Sequence, residues 1–302
     1  MSGGLTFKNT VPLPPGWPGL FDHGDVDRLT RRVFVAHTAF DTVEVIDADT
    51  LKSAGRIEGC PEGSGVLCAA EARLVFAAAR GAGKVLVIDP DRLVVLSEVA
   101  VGTRPNGLAW DGSRGHLLVA DLAPTDHSAR LIDLASGAVV ASTPLPGRPR
   151  WCVYEPAGDR YLVNISEPAM VVVLAGGTGV RSGVWPVGLP GPHGLDLDRV
   201  GRRAFIACDS GHVIAVNLDG DETGRTAISG PPDAIWFNAR ARRLYVAIGT
   251  PGVIDVIDTA NMVVAQTIVT EEGAHTTAFD HDRQRLYVFM PGQCAAAVYE
   301  EY

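Results

Sequence analysis

The chain has 302 residues, of which 46% are hydrophobic and 20% charged, with a formal net charge of −9. That composition supports a sizeable core and excludes intrinsic disorder, and the negative balance gives no electrostatic ground for binding nucleic acid. With 34 glycines and 20 prolines, the chain favours many tight turns over long helices.

In chain order, LTFKNTVPLP (5–14) is strand-like. RRVFVAH (31–37) then reads as a strand after a polar turn. VEVIDADTLKSAGRIEG (43–59) carries a strand into a turn at Asp47 and out into a further strand. This pair of phrases recurs as ARLVFAA (72–78) with VLVIDPDRLVVLSEVAVG (85–102), and as GHLLVAD (115–121) with ARLIDLASGAVVASTPLPG (129–147). Weaker copies are DRYLVNI (159–165) with VVVLAGGTGVRSGVWPVGLPG (171–191) and RRAFIAC (202–208) with VIAVNLDGDETGRTAISG (213–230). RRLYVAI (242–248) pairs with VIDVIDTANMVVAQTIVTEEG (253–273), and QRLYVFM (284–290) opens a last copy that ends in CAAAVYEE without a fourth strand.

The turn falls at Asp47, Asp89, Asp133, Ala175, Asn217 and Asp258, at intervals of 42, 44, 42, 42 and 41 residues. Asp and Asn suit that position because their side chains accept backbone N–H groups two residues on. A unit of that length with four strands is one propeller blade. The expected fold is therefore all-β: one domain over residues 1–302, a seven-bladed β-propeller in which the N-terminal strand completes the last blade and removes an exposed edge.

The pattern V-x-V-I-D, turn, strand, G-x-x-P-x-G, turn, R-R-L-Y-V-A resembles the YVTN repeat of bacterial seven-bladed (YncE-like) propellers. TRPNGLAWDGSRGHLLVAD (103–121) and GPPDAIWFNARARRLYVAI (230–248) are the nearest copies. The resemblance implies the fold; such propellers include lyases, lactonase relatives, electron-transfer partners and binding scaffolds, so it leaves function open.

Equivalent residues of successive blades sit at one height around the axis. At the entry of each innermost strand the count gives Asp22, Gly63, Asn106, Arg150, His193, Asp233 and His275. Five residues later Asp27, Asp111, Glu155, Asp198, Asn238 and Asp280 form a second ring, read as turn chemistry. The first ring varies from blade to blade, as a functional ring does. His193, His275, Asp233 and Asp22 are expected as ligands of a divalent ion (Zn, Mn, Fe or Cu), because two imidazoles with carboxylates leave coordination positions open for chemistry. The stretch GLFDHGDVD admits either Asp22 or His23 at the blade-one position.

Arg150, Asn106 and His23 are the expected catalytic groups, with Arg150 suited to an anionic or carbonyl-bearing molecule. Trp151, His37 and Asp121 are expected to line the substrate pocket, and the loops carrying Asn164 and Asp209 to form its rim. Cys152 lies beside Arg150 but has no legible base to activate it as a nucleophile. The expected function is a metal-dependent hydrolase or lyase acting on a small molecule in the central funnel. The alternative is a non-catalytic propeller that binds a ligand or protein on its top face.

PHGLD (192–196) is similar to the Pro-His-Gly of streptogramin B lyase propellers, which use a funnel metal. In that family the paired histidines lie on neighbouring blades with a Glu following the last second strand. Here His193 and His275 are two blades apart and Phe289–Met290 fill the Glu region, so the same substrate is not implied. No apolar run approaches the 18 or so residues of a membrane helix. The five cysteines show no paired spacing and MSGGLTFKNT no secretory pattern, so the expected location is cytoplasmic, with neither membrane nor nucleic acid as partner.

Overall fold

Each second-strand phrase is apolar on both faces, because its strand lies inside a sheet that is covered on both faces. The structure, a computed structural model, describes residues 4–16 and 18–302. It consists of seven four-stranded antiparallel sheets. Blade one comprises β2 (Gly24–Asp27), β3 (Arg32–His37), β4 (Thr42–Asp47) and β5 (Lys52–Glu58). The next five blades repeat this order through β25 (Val263–Val269). Their innermost strands are β6 (Gly63–Ala69), β10 (Pro105–Asp111), β14 (Pro149–Glu155), β18 (Pro192–Asp198) and β22 (Ile235–Asn238). Blade seven holds β26 (Thr276–Asp280), β27 (Arg285–Met290) and β28 (Ala295–Glu301), and β1 (Leu5–Pro12) supplies its outer strand by pairing antiparallel with β28. Innermost strands contact their neighbours all the way round, β26 against β2 included. The expected seven blades and their closure by the N-terminal strand are both present.

The core is a series of interfaces between blades. Phe34, Val43 and Val45 of blade one pack on Val75, Leu86 and Ile88 of blade two, each at most 1% exposed, and Leu5, Val288 and Tyr299 of blade seven meet Tyr245, Ile254 and Val256 of blade six. Each such aliphatic or aromatic side chain contributes about 1.5–3 kcal/mol when fully buried. The outermost strands alternate exposed and half-buried residues, as the end of a stack must.

The second ring is turn chemistry. Asp111 Oδ1 accepts the Ser113 N–H at 3.0 Å, Glu155 the N–H groups of Ala157 and Gly158 at 2.8 Å, and Asp280 Oδ1 those of Asp282 and Arg283 at 3.0 Å. A further set of contacts ties blade to blade. The arginine that opens the second strand donates to a carbonyl of the following blade: Arg160 to Leu218 at 2.5 Å, Arg203 to Thr259 at 2.7 Å and Arg285 to Ala48 at 2.8 Å. These recurrent arginines are structural clasps. No helix among the described residues is long and apolar enough to cross a membrane.

Candidate functional site

Because the first-ring residues start the innermost strands, their side chains surround one mouth of the central channel. His193 sits in β18, Asp233 just before β22, His275 just before β26 and His23 just before β2. The approach of blades five and six depends on Gly194: a Cβ there would stand 2.5 Å from the Asp233 carbonyl oxygen. From β15 (Arg160–Ile165), the fully buried Asn164 donates at 3.0 Å to the carbonyls of His193 and Gly194, which fixes the backbone under the imidazole. Asn164 thus supports the site from beneath instead of lining its rim.

His193 is held between two carboxylates. Its Nδ1 donates to Asp209 Oδ1 at 2.8 Å and its Nε2 faces Asp233 Oδ1 at 3.3 Å. Burial would lower its proton affinity, but Asp233 and Asp209 outweigh burial and push it up to about 9. Burial opposes ionisation of Asp233, yet His193, and with it His23 and His275, holds that carboxyl well below the usual range. His275 Nε2 lies 3.9 Å from Asp233 Oδ2. His23 is lowered instead: burial dominates, with Asp22 and Asp233 only partly compensating. Its ring meets Trp151 of blade four across the axis, centroid to centroid at 3.9 Å. His23, Trp151, His193 and Asp233 then cap a cavity of about 630 Å³, whose walls include Leu108, Trp110, Leu195 and Trp236.

The remaining expected residues divide. Asn106 and Arg150 stand at the mouth: Asn106 Oδ1 accepts from Arg80 at 3.4 Å, and Arg150 lies 3.6 Å from Asp209. Asp22 faces Arg80 at 3.4 Å and His23 at 3.6 Å, so the imidazole cluster around Asp233 takes His23 from blade one and not Asp22. Gly63 is displaced by one position. It pairs with Ala79 as Pro105 pairs with Asp121, so Ser64 is the blade-two member of the ring, its hydroxyl donating to the Pro105 carbonyl at 3.0 Å. His37 and Asp121 are fully buried, contrary to their expected place in the pocket. His37 stacks on Phe21 at 4.3 Å and faces Glu44 at 3.4 Å, while Asp121 accepts the N–H groups of Thr103, Arg104 and Ala123. Both close a second strand, whose last side chain points between blades. Cys152 is buried, and burial pushes its thiol far up, away from nucleophilic chemistry. Two contributors were not singled out from sequence as site residues. Arg80 comes from a turn, and Asp209 was read only as rim; their partners belong to other blades, which a linear pattern does not display.

A divalent ion needs donors with free lone pairs aimed at one centre. His193 has both ring nitrogens against carboxylates, and Asp22 is taken by Arg80. Among the described residues no group of three or more His, Cys, Asp or Glu side chains is arranged to hold a metal. In this arrangement Asp209 and Asp233 flank His193 and raise its proton affinity, so His193, His275, Asp233 and Asp22 are engaged with one another and with Arg80.

Fold and mouth together define a seven-bladed β-propeller with a polar funnel. No protein-family model matches the chain and no curated protein matches it. Among solved structures it is similar to Kuenenia stuttgartiensis hydrazine synthase, with a TM-score of 0.79 over 94% of this chain and 95% of that one, at 14% identity. A likeness at that identity concerns the fold alone.

Proposed function

We propose that the funnel is the active site of a hydrolase or lyase acting on a small molecule, with His193 as proton donor and His23 as proton acceptor. The observation that carries this reading is the divergence of two imidazoles over one cavity. His193 is charged at neutral pH, whereas His23 is held neutral by burial. Titratable groups driven apart by their surroundings are how one site runs acid and base chemistry at one pH. The imidazolium would protonate a leaving oxygen or nitrogen. The neutral ring would take a proton either from water, giving hydrolysis, or from an activated C–H, giving elimination. Asp209 and Asp233 would hold the donor in place and stabilise its charge.

The test is a panel of esters, lactones, amides and elimination substrates offered to protein purified without a His-tag, with metal content measured in parallel. Turnover lost in both His193→Gln and His23→Gln, without loss of fold, supports the assignment. One equivalent of metal, lost in a His193→Ala/His275→Ala double variant, would replace it with metal-dependent chemistry. Ligand binding without conversion would make the protein a non-catalytic binder.

A further inference from the structure

Along the arc of the mouth between His23 and His193, four arginines converge. Arg80 opens the turn after β7 (Leu74–Ala79), Arg104 and Arg148 precede β10 and β14, and Arg150 lies in β14. They are close enough that Arg150 foremost, then burial, with Arg80 and Arg104 adding, holds the Arg148 guanidinium below its ordinary value. The carboxylates at hand are already shared. Glu62 lies 3.1 Å from Arg104 and 3.8 Å from Arg80, Asp22 faces Arg80 and also His23, and Asp209 faces Arg150 while accepting from His193. Arg148 forms no ion pair among the described residues. With the charged His193, the mouth carries a positive surplus in a chain whose net charge is −9.

Two donors are also orphaned. Nε of Arg150 and Nε of Arg80 are buried and lack any hydrogen-bond partner, the latter standing 3.8 Å from Glu62 Oε2. Buried donors are almost always paired, so an unpaired guanidinium N–H marks the place of an acceptor. Asn106 spends its oxygen on Arg80, which leaves its NH₂ as a further donor.

We infer that this arc is an oxyanion receptor, so that the molecule entering the funnel carries a carboxylate or a phosphate, held by Arg148 and Arg150 with Arg80 and Asn106 beside them. The planar fork of a guanidinium matches either group with two parallel hydrogen bonds. The inference rests on the proposed use of the funnel and names the chemical class of its substrate. It also orients that substrate: with its anion on blades two to four, the rest of the molecule faces His23, His193 and Asp233.

The experiment compares benzoate with benzamide, its uncharged twin, and with inorganic phosphate, by titration calorimetry on the full chain. Wild-type protein should bind benzoate at least about tenfold more tightly than benzamide, bind phosphate as well, and lose the preference as salt rises and screens the arginines. Arg148→Gln/Arg150→Gln should bring the two ligands to parity, with circular dichroism and melting temperature checking the fold. Arg150→Lys, which keeps the charge without the fork, should restore part of the preference. Equal binding of benzoate and benzamide by the wild type, or an undiminished preference in the double variant, overturns the inference. His193→Gln separates it from the catalytic reading: turnover should be lost, while benzoate stays preferred over benzamide by a margin reduced only through the one charge removed. A funnel that turns over neutral substrates without selecting anions would sink the receptor alone.

Discussion

His193→Gln tests the charged imidazole without any knowledge of the substrate. In the folded protein the ring keeps its proton up to about pH 9, whereas in an unfolded chain it titrates near 6.5. A value raised on folding contributes stability that is complete below pH 6.5 and lost as pH climbs through 9. That gap corresponds to about 3 kcal/mol at 1.36 kcal/mol per factor of ten, and the side chain is only 17% exposed, so solvent screens it little. The depressed carboxyl of Asp233 is the same interaction seen from its other end and is not counted again. Unfolding entropy near 2.1 cal/mol/K per residue amounts to about 0.6 kcal/mol/K for this chain, so the effect is worth about 5 °C. Melting curves by circular dichroism at pH 6, 8 and 10 should show the variant melting well below wild type at pH 6. The two curves should draw together by about 5 °C at pH 10. Tyrosines and lysines that titrate in this range are common to both proteins and cancel in the difference. A difference that does not change with pH would mean that His193 is uncharged, and the proton-donor role would fall with it.

Asp25 lies in the channel wall, where its carboxylate accepts the Cys68 N–H of the next blade at 2.8 Å. Burial pushes its carboxyl up to about 7, so its contribution to stability is lost as pH rises from about 4 through 7, and Asp25→Asn should remove that part of the slope. Parallel melting curves of the two proteins between pH 4.5 and 8 would contradict this. Leu13, 2% exposed among Val11, Phe21 and Phe289, helps seat the segment that closes the ring. Leu13→Ala should cost about 2–5 kcal/mol in urea unfolding, and a loss below about 1 kcal/mol would show that the closure packs loosely. Native protein should not be alkylated by iodoacetamide at Cys152 at pH 8, because the thiol is buried and burial favours its neutral form; mass spectrometry that found the adduct would refute this placement.

Blades were readable because each repeats a strand that must be apolar on both faces and a turn that needs Asp or Asn. Seven registers of one pattern correct each other's ambiguities. The one slip in the ring has a chemical cause: Leu74 occupies the place held by Arg32, His116 and Arg160 in other blades. The first apolar residue of that strand therefore comes one position early and draws the count to Gly63. The facing of ring residues toward a common mouth was equally legible. What each one meets there was not, since His193 meets Asp209 from its own blade and Asp233 from the next, and Arg80 reaches Asp22 across blades. Whether a strand's last residue turns into the channel or between sheets is also invisible to a period of two, which is why His37 and Asp121 were drawn into the pocket.

The pairing of β1 with β28 has a consequence in time. Leu5 lies opposite Glu301 and Pro12 opposite Ala295, so the partner of the first strand is made roughly 290 residues after it. At ribosomal speeds that is a wait of about 15 to 60 s. Through that interval β1 carries the exposed Phe7 and an unpaired edge, while the six blades between β2 and β25 can already stack. The growing propeller is thus an open arc whose sticky end is its first-made strand, and whatever shields that strand during synthesis decides whether the circle closes on itself or on a neighbour.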